Sequence, residues 1–340
     1  MADENIAAVL YGPMDIRLKD VGVPSLGYNE VLLKMGSVGI CGSDIKYWKY
    51  GKCGRFTLDK PMVIGHEASG TIVKIGPNVR GLAVGDRVAI EPGIPCRMCR
   101  LCKGGQYNLC PDIQFCATPP VDGNLSRLYK HQADFCFRLP DHVSLDEGAL
   151  LEPLAVAIYA CKRGNVSLGT SLLICGAGPV GILTLLAAKQ MGASTVIMTD
   201  IDSERLSFAK SKGADYTIKV NSKDPELFAT EVTSQTGFRP DVTVECSGTD
   251  FSLILGIYVT FPGGSVILIG RGQCNTPLPY NVAASKEVDI KGVFRYANCY
   301  PAALDMIASG KVDTKDLVTH RFNIADTVEA FKTADDREAK

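Results

Sequence analysis

The chemistry of this chain is centred on a histidine and a glutamate that stand side by side. His66 and Glu67 lie within Met62-Val63-Ile64-Gly65-His66-Glu67-Ala68-Ser69-Gly70. Successive side chains of a strand face opposite ways, so one metal ion can hold both only where the backbone bends. Gly65, just before the pair, makes that bend possible. A third candidate ligand is Cys41, in Val38-Gly39-Ile40-Cys41-Gly42-Ser43-Asp44, and a fourth is Glu152, which opens Glu152-Pro153-Leu154-Ala155-Val156. Cysteine, histidine and carboxylate together are the ligand types of zinc. Ligands dispersed this widely point to a catalytic site, because compact structural sites draw on local hairpins. Taken singly, His66 reads as a hydrogen-bonded core histidine and Cys41 as a small buried hydrophobe. Taken together they point to zinc.

A second set is local: Cys96-x2-Cys99-x2-Cys102-x7-Cys110. Four thiolates in so short a loop can close a tetrahedron with no open position, which describes a structural zinc site that folds its own loop. The rival is an iron–sulfur cluster, since the triple at two-residue intervals and Cys110-Pro111 echo a ferredoxin run. The fourth spacing is too long for that run and no second run exists, so zinc is the better fit.

A third pattern occupies the middle of the chain. The apolar run Ser171-Leu172-Leu173-Ile174-Cys175 meets Gly176-Ala177-Gly178-Pro179-Val180-Gly181. A helix from Ile182 to Met191 and a strand from Thr195 to Thr199 follow, and the strand ends in the acid Asp200. Strand, glycine turn, helix, strand and acid form the dinucleotide-binding fingerprint. The glycines permit a tight turn, close approach to a pyrophosphate and close helix packing, and the helix N-terminus offers free N–H groups to the phosphates.

The elements that must position these groups differ between the two ends. Residues 7–12 and 15–19 read as a hairpin around Pro13, and Val31 to Met35, Gly70 to Ile75 and Asp86 to Ile90 as further strands. This is an all-β, barrel-like region with one short helix expected over Cys41 to Lys49. From Ser171 onward an α/β rhythm takes over. Helices are expected over Arg205 to Gly213 and Glu226 to Thr236. Strands are expected over Tyr216 to Val220, Val242 to Glu245, Ser265 to Ile269 and Val288 to Gly292. Ligands lie at the carboxyl ends of such strands, so Ser247, Gly248, Gly270 and Arg271 should line the cofactor. Helices over Pro301 to Ser309 and from Ile324 past Phe331 close the chain.

The chain is 340 residues long, which is too long for one ordinary core and predicts two domains. Its formal net charge of -1 implies no nucleic acid or anionic surface as partner. It has no apolar run long enough to span a bilayer. The start, Met1-Ala2-Asp3-Glu4-Asn5, lacks the apolar core of a signal peptide, so a cytoplasmic location is expected. In such a setting the 13 cysteines read as metal ligands and buried thiols rather than disulfides.

These runs resemble the zinc-dependent medium-chain alcohol dehydrogenases, and within them the polyol (sorbitol) dehydrogenases. The matching stretches are Gly39-Ile40-Cys41-Gly42-Ser43-Asp44, Gly65 to Gly70, Phe115-Cys116-Ala117-Thr118-Pro119-Pro120, Glu152-Pro153-Leu154, Gly176 to Gly181, and Asp289-Ile290-Lys291-Gly292-Val293-Phe294-Arg295-Tyr296. The resemblance implies an α/β protein in which a GroES-like, β-rich catalytic domain accompanies a Rossmann domain with a doubly wound parallel sheet. The catalytic domain would cover residues 1–152, with a structural zinc lobe at about 93–112, and resume over 289–340. The Rossmann domain would cover 153–288, with the active site in the cleft between.

Carried over by residue, Cys41, His66 and Glu67 resemble the catalytic zinc ligands, and Glu152 the acid that binds the metal directly or through its water. The alcohol proton would leave through Ser43 or the Glu152 water. Tyr47, Phe115, Glu152, Arg295 and Tyr296 resemble polyol contacts. Gly176, Gly178, Val180, Gly181, Asp200, Arg205, Ile269, Gly270, Arg271, Val293, Phe294 and Arg295 resemble contacts to NAD. The implied reaction is NAD-dependent oxidation of a polyol to a ketose by a homo-oligomer, a tetramer or dimer. An L-threonine or short-diol dehydrogenase of the same family, and a dinucleotide-binding structural or sensor protein without chemistry, are the alternatives. Three departures stand out. Lys46 replaces the histidine common in the polyol pattern, Arg271 adds a charge beside the expected nicotinamide pocket, and the chain stops at Asp335-Asp336-Arg337-Glu338-Ala339-Lys340 where relatives add an apolar strand.

Overall fold

A computed structural model describes residues 4–273 and 275–336. The chain divides into two compact units. One holds the residues up to Glu152 together with Tyr300–Gly310 and the residues from Thr314 onward; the other holds Pro153–Cys299 and Lys311–Asp313.

The first unit opens with β1 (Ile6–Gly12), β2 (Asp15–Asp20) and β3 (Glu30–Gly39), followed by helix α1 (Gly42–Tyr50). Short strands β4 (Lys52–Cys53), β5 (Phe56–Thr57) and β6 (Met62–Val63) lead into the long β7 (Glu67–Ile75) and β8 (Arg87–Ile90). The cysteine lobe runs from β9 (Gly93–Ile94) through α2 (Arg100–Lys103) to β10 (Gln114–Phe115). Strands β11 (Leu128–Gln132) and β12 (Cys136–Arg138) and helix α3 (Leu145–Ala149) complete it. An antiparallel five-stranded sheet of order β11-β3-β7-β8-β12 carries the centre, and a second sheet, β2-β1-β6, lies apart from it in the pairing. Val31, Leu33, Ala68, Ile72, Val88 and Ile90 alternate inward along the larger sheet and form one core. A second core gathers Leu10, Tyr47, Trp48, Met62, Ile64 and Phe331.

Helix α4 (Leu151–Arg163) leads into the second unit, whose alternation is regular: β13 (Ser171–Cys175), α5 (Pro179–Gln190), β14 (Thr195–Asp200), α6 (Ser203–Ser211), β15 (Tyr216–Lys219) and α7 (Pro225–Thr236). Then come β16 (Val242–Glu245), α8 (Asp250–Val259), β17 (Ser265–Leu268), α9 (Tyr280–Ser285) and β18 (Asp289–Gly292). The strands pair in parallel in the order β15-β14-β13-β16-β17-β18, and the order in which the chain adds strands switches sides between β13 and β16. Near-continuous apolar strands such as Leu172-Leu173-Ile174 suit a sheet covered on both faces. Phe228 of α7 is fully buried in the core beside Leu173 and Ile197, so its truncation to alanine should cost about 3–5 kcal/mol.

The second unit extends further than the expected limit at residue 288. Strand β18 pairs with β17 in continuous parallel register, Ser265 opposite Asp289 through Leu268 opposite Gly292, and the compact unit runs to Cys299. Helices α4 and α8 were also not evident from the sequence. The apolar residues of α8 run almost unbroken from Phe251 to Val259, with no polar face to mark a helical period.

Helices α10 (Tyr300–Ala308) and α11 (Thr327–Asp335) return to the first unit. There the Tyr300 hydroxyl donates to the Ile90 carbonyl at 2.6 Å, and Phe331 meets Trp48 edge-on at 5.8 Å. Residues 337–340, on which the expectation of a missing closing strand falls, lie outside the described residues. Among the described residues no helix is long and apolar enough to cross a membrane.

Candidate active site

Cys41, His66 and Glu67 converge in the first unit: one ligand atom from each lies within 4.8 Å of the others. The convergence has local causes. Glu67 begins β7 and pairs with Gly39 at the end of β3, so the two strands bring Cys41, two residues on, beside the His66–Glu67 pair. A Cβ on Gly39 would stand 2.3 Å from Glu67 Oε2, so only glycine leaves room for that carboxylate. Gly65 has φ +93, and a side chain there would also meet Val38 and Leu125, which confirms the bend inferred from sequence. Cys41 is the N-cap of α1.

The electrostatics of the group call for a cation. Burial, then the Glu152 charge, push the Glu67 carboxyl up to about 8, and burial followed by Glu67 raises the Cys41 thiol. Burial opposes protonation of His66, yet Asp44 and Cys41 outweigh it and hold the imidazole well above its ordinary value. Three crowded ionisable groups, buried His66 and partly buried Cys41 and Glu67, thus compete for protons that a divalent ion would displace, and their N, O and S donors fit zinc. Glu152 stands outside this trio but near enough to act on Glu67 by charge. Phe115 packs beside His66, ring centroids 5.9 Å apart.

The four cysteines of the lobe also come together, all four sulfurs lying within 4.8 Å of one another. Cys96 Sγ and Cys99 Sγ are 3.8 and 3.4 Å from Cys102 Sγ. A tetrahedron with metal–sulfur bonds of about 2.3 Å has edges of about 3.8 Å, so the spacing fits a single ion rather than a cluster of irons. Backbone N–H groups of Cys99, Cys102 and Cys96 point at Cys96, Cys99 and Cys110 sulfurs at 3.3, 3.5 and 3.4 Å, as thiolate ligands require.

In the second unit, Gly176 (φ +104) turns the chain from β13 into α5, and a Cβ on Gly181 would stand 1.9 Å from the Gly176 carbonyl oxygen. Gly178 caps α5 and Pro179 starts it, so the helix N-terminus faces the loop. Asp200 is buried at the end of β14. Its Oδ2 accepts from the Ala177 N–H at 2.7 Å and its Oδ1 from the Asp202 N–H at 3.0 Å. Asp202, not Asp200, caps α6, accepting from the Glu204 and Arg205 N–H groups. Arg205 Nε lies 3.9 Å from Asp202 Oδ2. The guanidinium groups of Arg271 and Arg295 both stack on the Phe294 ring, 5.3 and 4.7 Å from its centroid, and Arg295 takes a left-handed backbone (φ +56).

Comparison with known proteins bears on both units. A model of the alcohol dehydrogenase GroES-like domain matches residues 27–141, and one of the zinc-binding dehydrogenases matches residues 179–309. Sorbitol dehydrogenase of Rattus norvegicus is 56% identical over 331 residues, covering 97% of this chain and 93% of the relative. That of Homo sapiens is 54% identical over 329 residues, with 97% and 92% covered. The chain belongs to the sorbitol dehydrogenase family, within the zinc-containing medium-chain dehydrogenases. Among solved structures, L-idonate 5-dehydrogenase from Escherichia coli superposes on this family member with a TM-score of 0.91 at 29% identity, covering 99% of this chain and 96% of that one.

Three buried carboxylates escaped the reading of this family member's sequence. Asp44 accepts from the Cys41 N–H at 3.0 Å through Oδ2, while Oδ1 lies 3.3 Å from His66 Nδ1. It therefore orients the side chain of one candidate ligand and the backbone of another. Its place three residues into a helix capped by Cys41 was a usable signal. Glu91 receives the Tyr107 hydroxyl at 2.7 Å, and Glu245 anchors the turn after β16; neither sits in a motif. Tyr47 is buried in the core with Trp48 and Phe331, and Tyr296 is buried in the second unit.

Proposed function

We propose that this chain oxidises a secondary alcohol of a polyol, such as sorbitol, xylitol or L-iditol, to the ketose, with NAD as hydride acceptor and zinc as catalytic metal. The observation that carries the reading is the convergence of Cys41, His66 and Glu67 within 4.8 Å, beside a chain that matches sorbitol dehydrogenases over nearly its whole length. When bound, zinc supplies the Lewis acidity that lowers the alcohol's pKa, and NAD supplies the ring that accepts hydride. Cys41, His66 and Glu67 would hold the catalytic ion, with Glu152 binding it directly or through a water. Cys96, Cys99, Cys102 and Cys110 would hold a second, structural ion.

Within this reading Asp44 keeps the His66 ring oriented, and the alcohol proton leaves through Ser43 or the water on Glu152. Tyr47, Phe115, Arg295 and Tyr296 orient the polyol. The glycine loop, Val180, Asp200, Arg205, the run from Ile269 to Arg271 and the run from Val293 to Arg295 hold the cofactor. A cytoplasmic homo-oligomer, tetramer or dimer, acting without nucleic acid or membrane, accompanies the reading, and light scattering on the purified protein checks the assembly.

The test is the growth of NADH absorbance with sorbitol, xylitol, L-threonine and ethanol in parallel. The polyols should give the highest kcat/KM. Preference for L-threonine would overturn the substrate class, and absence of turnover on every alcohol by a zinc-loaded protein would overturn the enzymatic reading.

A further inference from the structure

Three parallel strands end side by side in the second unit: β13 at Cys175, β16 at Glu245 and β17 at Leu268. Glu245 is 3% exposed. Its Oε1 accepts from the Ser247 N–H at 2.8 Å, the Gly248 N–H at 2.8 Å and the Ser247 hydroxyl at 2.6 Å. Ser247 Oγ lies 2.9 Å from both Thr249 Oγ1 and Ser252 Oγ, at the start of α8. The Glu245 backbone carbonyl accepts from the Ile269 N–H at 3.0 Å and the Gly270 N–H at 2.9 Å, in the turn after β17. One residue therefore fastens two turns, the first with its carboxylate and the second with its carbonyl.

The turns touch. A Cβ on Gly270 would stand 2.3 Å from Glu245 Oε2 and 2.3 Å from the Gly248 nitrogen, and one on Gly248 would stand 3.1 Å from the Arg271 backbone. The phosphate loop adjoins the same place, since a Cβ on Gly176 would stand 3.2 Å from the Ser247 nitrogen. A carboxylate buried here is costly, and burial does push its pKa above the ordinary range, with the three donors working the other way. Such a group is retained where its hydrogen bonds fix a conformation.

The topology tells which half of a dinucleotide those turns meet. The glycine loop follows β13, and Asp200 ends β14 on one side of it. In this arrangement the adenosine ribose lies on the β14 side and the pyrophosphate at the loop. The other half must then extend across the switch point, over the ends of β16 and β17. Resting on the dinucleotide reading above, we propose that Glu245 is a positioning residue for the nicotinamide half of the cofactor. It holds the turns at Ser247–Gly248 and Ile269–Arg271 in the conformation that half requires, and leaves the adenosine half untouched.

Calorimetric titration of zinc-loaded protein with NADH and, separately, with ADP tests this, because ADP carries the adenosine half alone. Glu245→Ala should weaken NADH by about tenfold or more, as expected for turns whose N–H groups lose a charged acceptor, while ADP affinity stays within about twofold. Glu245→Gln, which keeps an acceptor oxygen, should fall between wild type and Glu245→Ala. Gly270→Ala, which wedges the turns apart from the other side, should reproduce the selective loss. If Glu245→Ala does not fold, the Gln and Gly270 variants carry the comparison by the same criterion. Parallel losses for both ligands, or unchanged NADH binding, would overturn the role of Glu245 while leaving the dinucleotide reading intact. A wild-type protein that binds neither ligand would overturn that reading and the inference with it.

Discussion

Glu91 and His131 should titrate against each other, and the balance is measurable. His131 Nε2 lies 2.9 Å from the Glu91 carbonyl oxygen, and both side chains are buried in the first unit. Burial pulls the imidazole from 6.5 down to about 4. Burial also pushes the Glu91 carboxyl from 4.5 up to about 7, with the Tyr107 hydrogen bond offsetting part of the rise. As pH falls from 6.5 to 4, the unfolded chain protonates His131 and the native state does not, so His131 withdraws stability across that window. Glu91 behaves in the opposite sense. Its native state keeps a proton that the unfolded chain releases above 4.5, so its contribution is complete below 4.5 and is lost as pH rises to about 7. Each difference spans about 2.5 pH units, or about 3 kcal/mol at 1.36 kcal/mol per unit, and the two have opposite sign. Glu91→Gln should therefore lose about 3 kcal/mol more than wild type between pH 7 and pH 4.5, and His131→Gln should gain by a similar amount over the same fall. The double variant should return to the wild-type slope. Urea unfolding followed by fluorescence reads this directly, because Trp48 is the single tryptophan and is buried in the first unit. Single variants whose stability follows pH in parallel with wild type would refute the opposed titrations.

Metal analysis should find two zinc ions per chain. Cys41→Ser should remove one together with activity at little change in melting temperature, whereas Cys99→Ser should lower stability first, since α2 of its lobe has no buried residue. Arg295→Ala should reduce kcat/KM for sorbitol far more than for isopropanol, by about 2–4 kcal/mol in transition-state terms, and equal losses would assign Arg295 to the cofactor or the fold. NAD should be preferred to NADP by about 3–5 kcal/mol in kcat/KM, because a 2′-phosphate would meet the buried Asp200 carboxylate. Asp200→Ala should narrow that gap and also lower the melting temperature, since the Ala177 and Asp202 N–H groups lose their acceptor.

What the sequence revealed was whatever the chain keeps local. The glycine loop, its flanking strands and Asp200 are contiguous, and Gly65 announces the bend that brings ligand atoms of His66 and Glu67 close together. The four lobe cysteines lie within one short loop. Cys41 could be matched to the distant His66–Glu67 pair by ligand type, but other contacts assembled by long-range pairing were not visible. The role of Asp44 depends on His66, which β3 and β7 bring to it by antiparallel register, and Glu245 gains its meaning only when β16 and β17 lie side by side. Asp200 was expected as an acid facing the cofactor ribose, whereas its bond to the Ala177 N–H depends on the pairing of β13 with β14 and was not foreseen. The limit of the second unit was misplaced although the strand over Val288 to Gly292 was expected, because only its parallel pairing with β17, a long-range contact, assigns it to the second sheet.

The discontinuous first unit sets an order of events on the ribosome. Its sheets are made from the earliest residues, yet α1 is held by α11: Lys49 pairs with Asp335 across 286 residues of chain, and Trp48 packs on Phe331. Tyr300 likewise reaches back to Ile90. The second unit is nearly contiguous and domains fold as units during synthesis, so it can finish while the first waits for its last helices. The unit begun first is completed last, and until α11 emerges Trp48 lacks the Phe331 ring that packs on it.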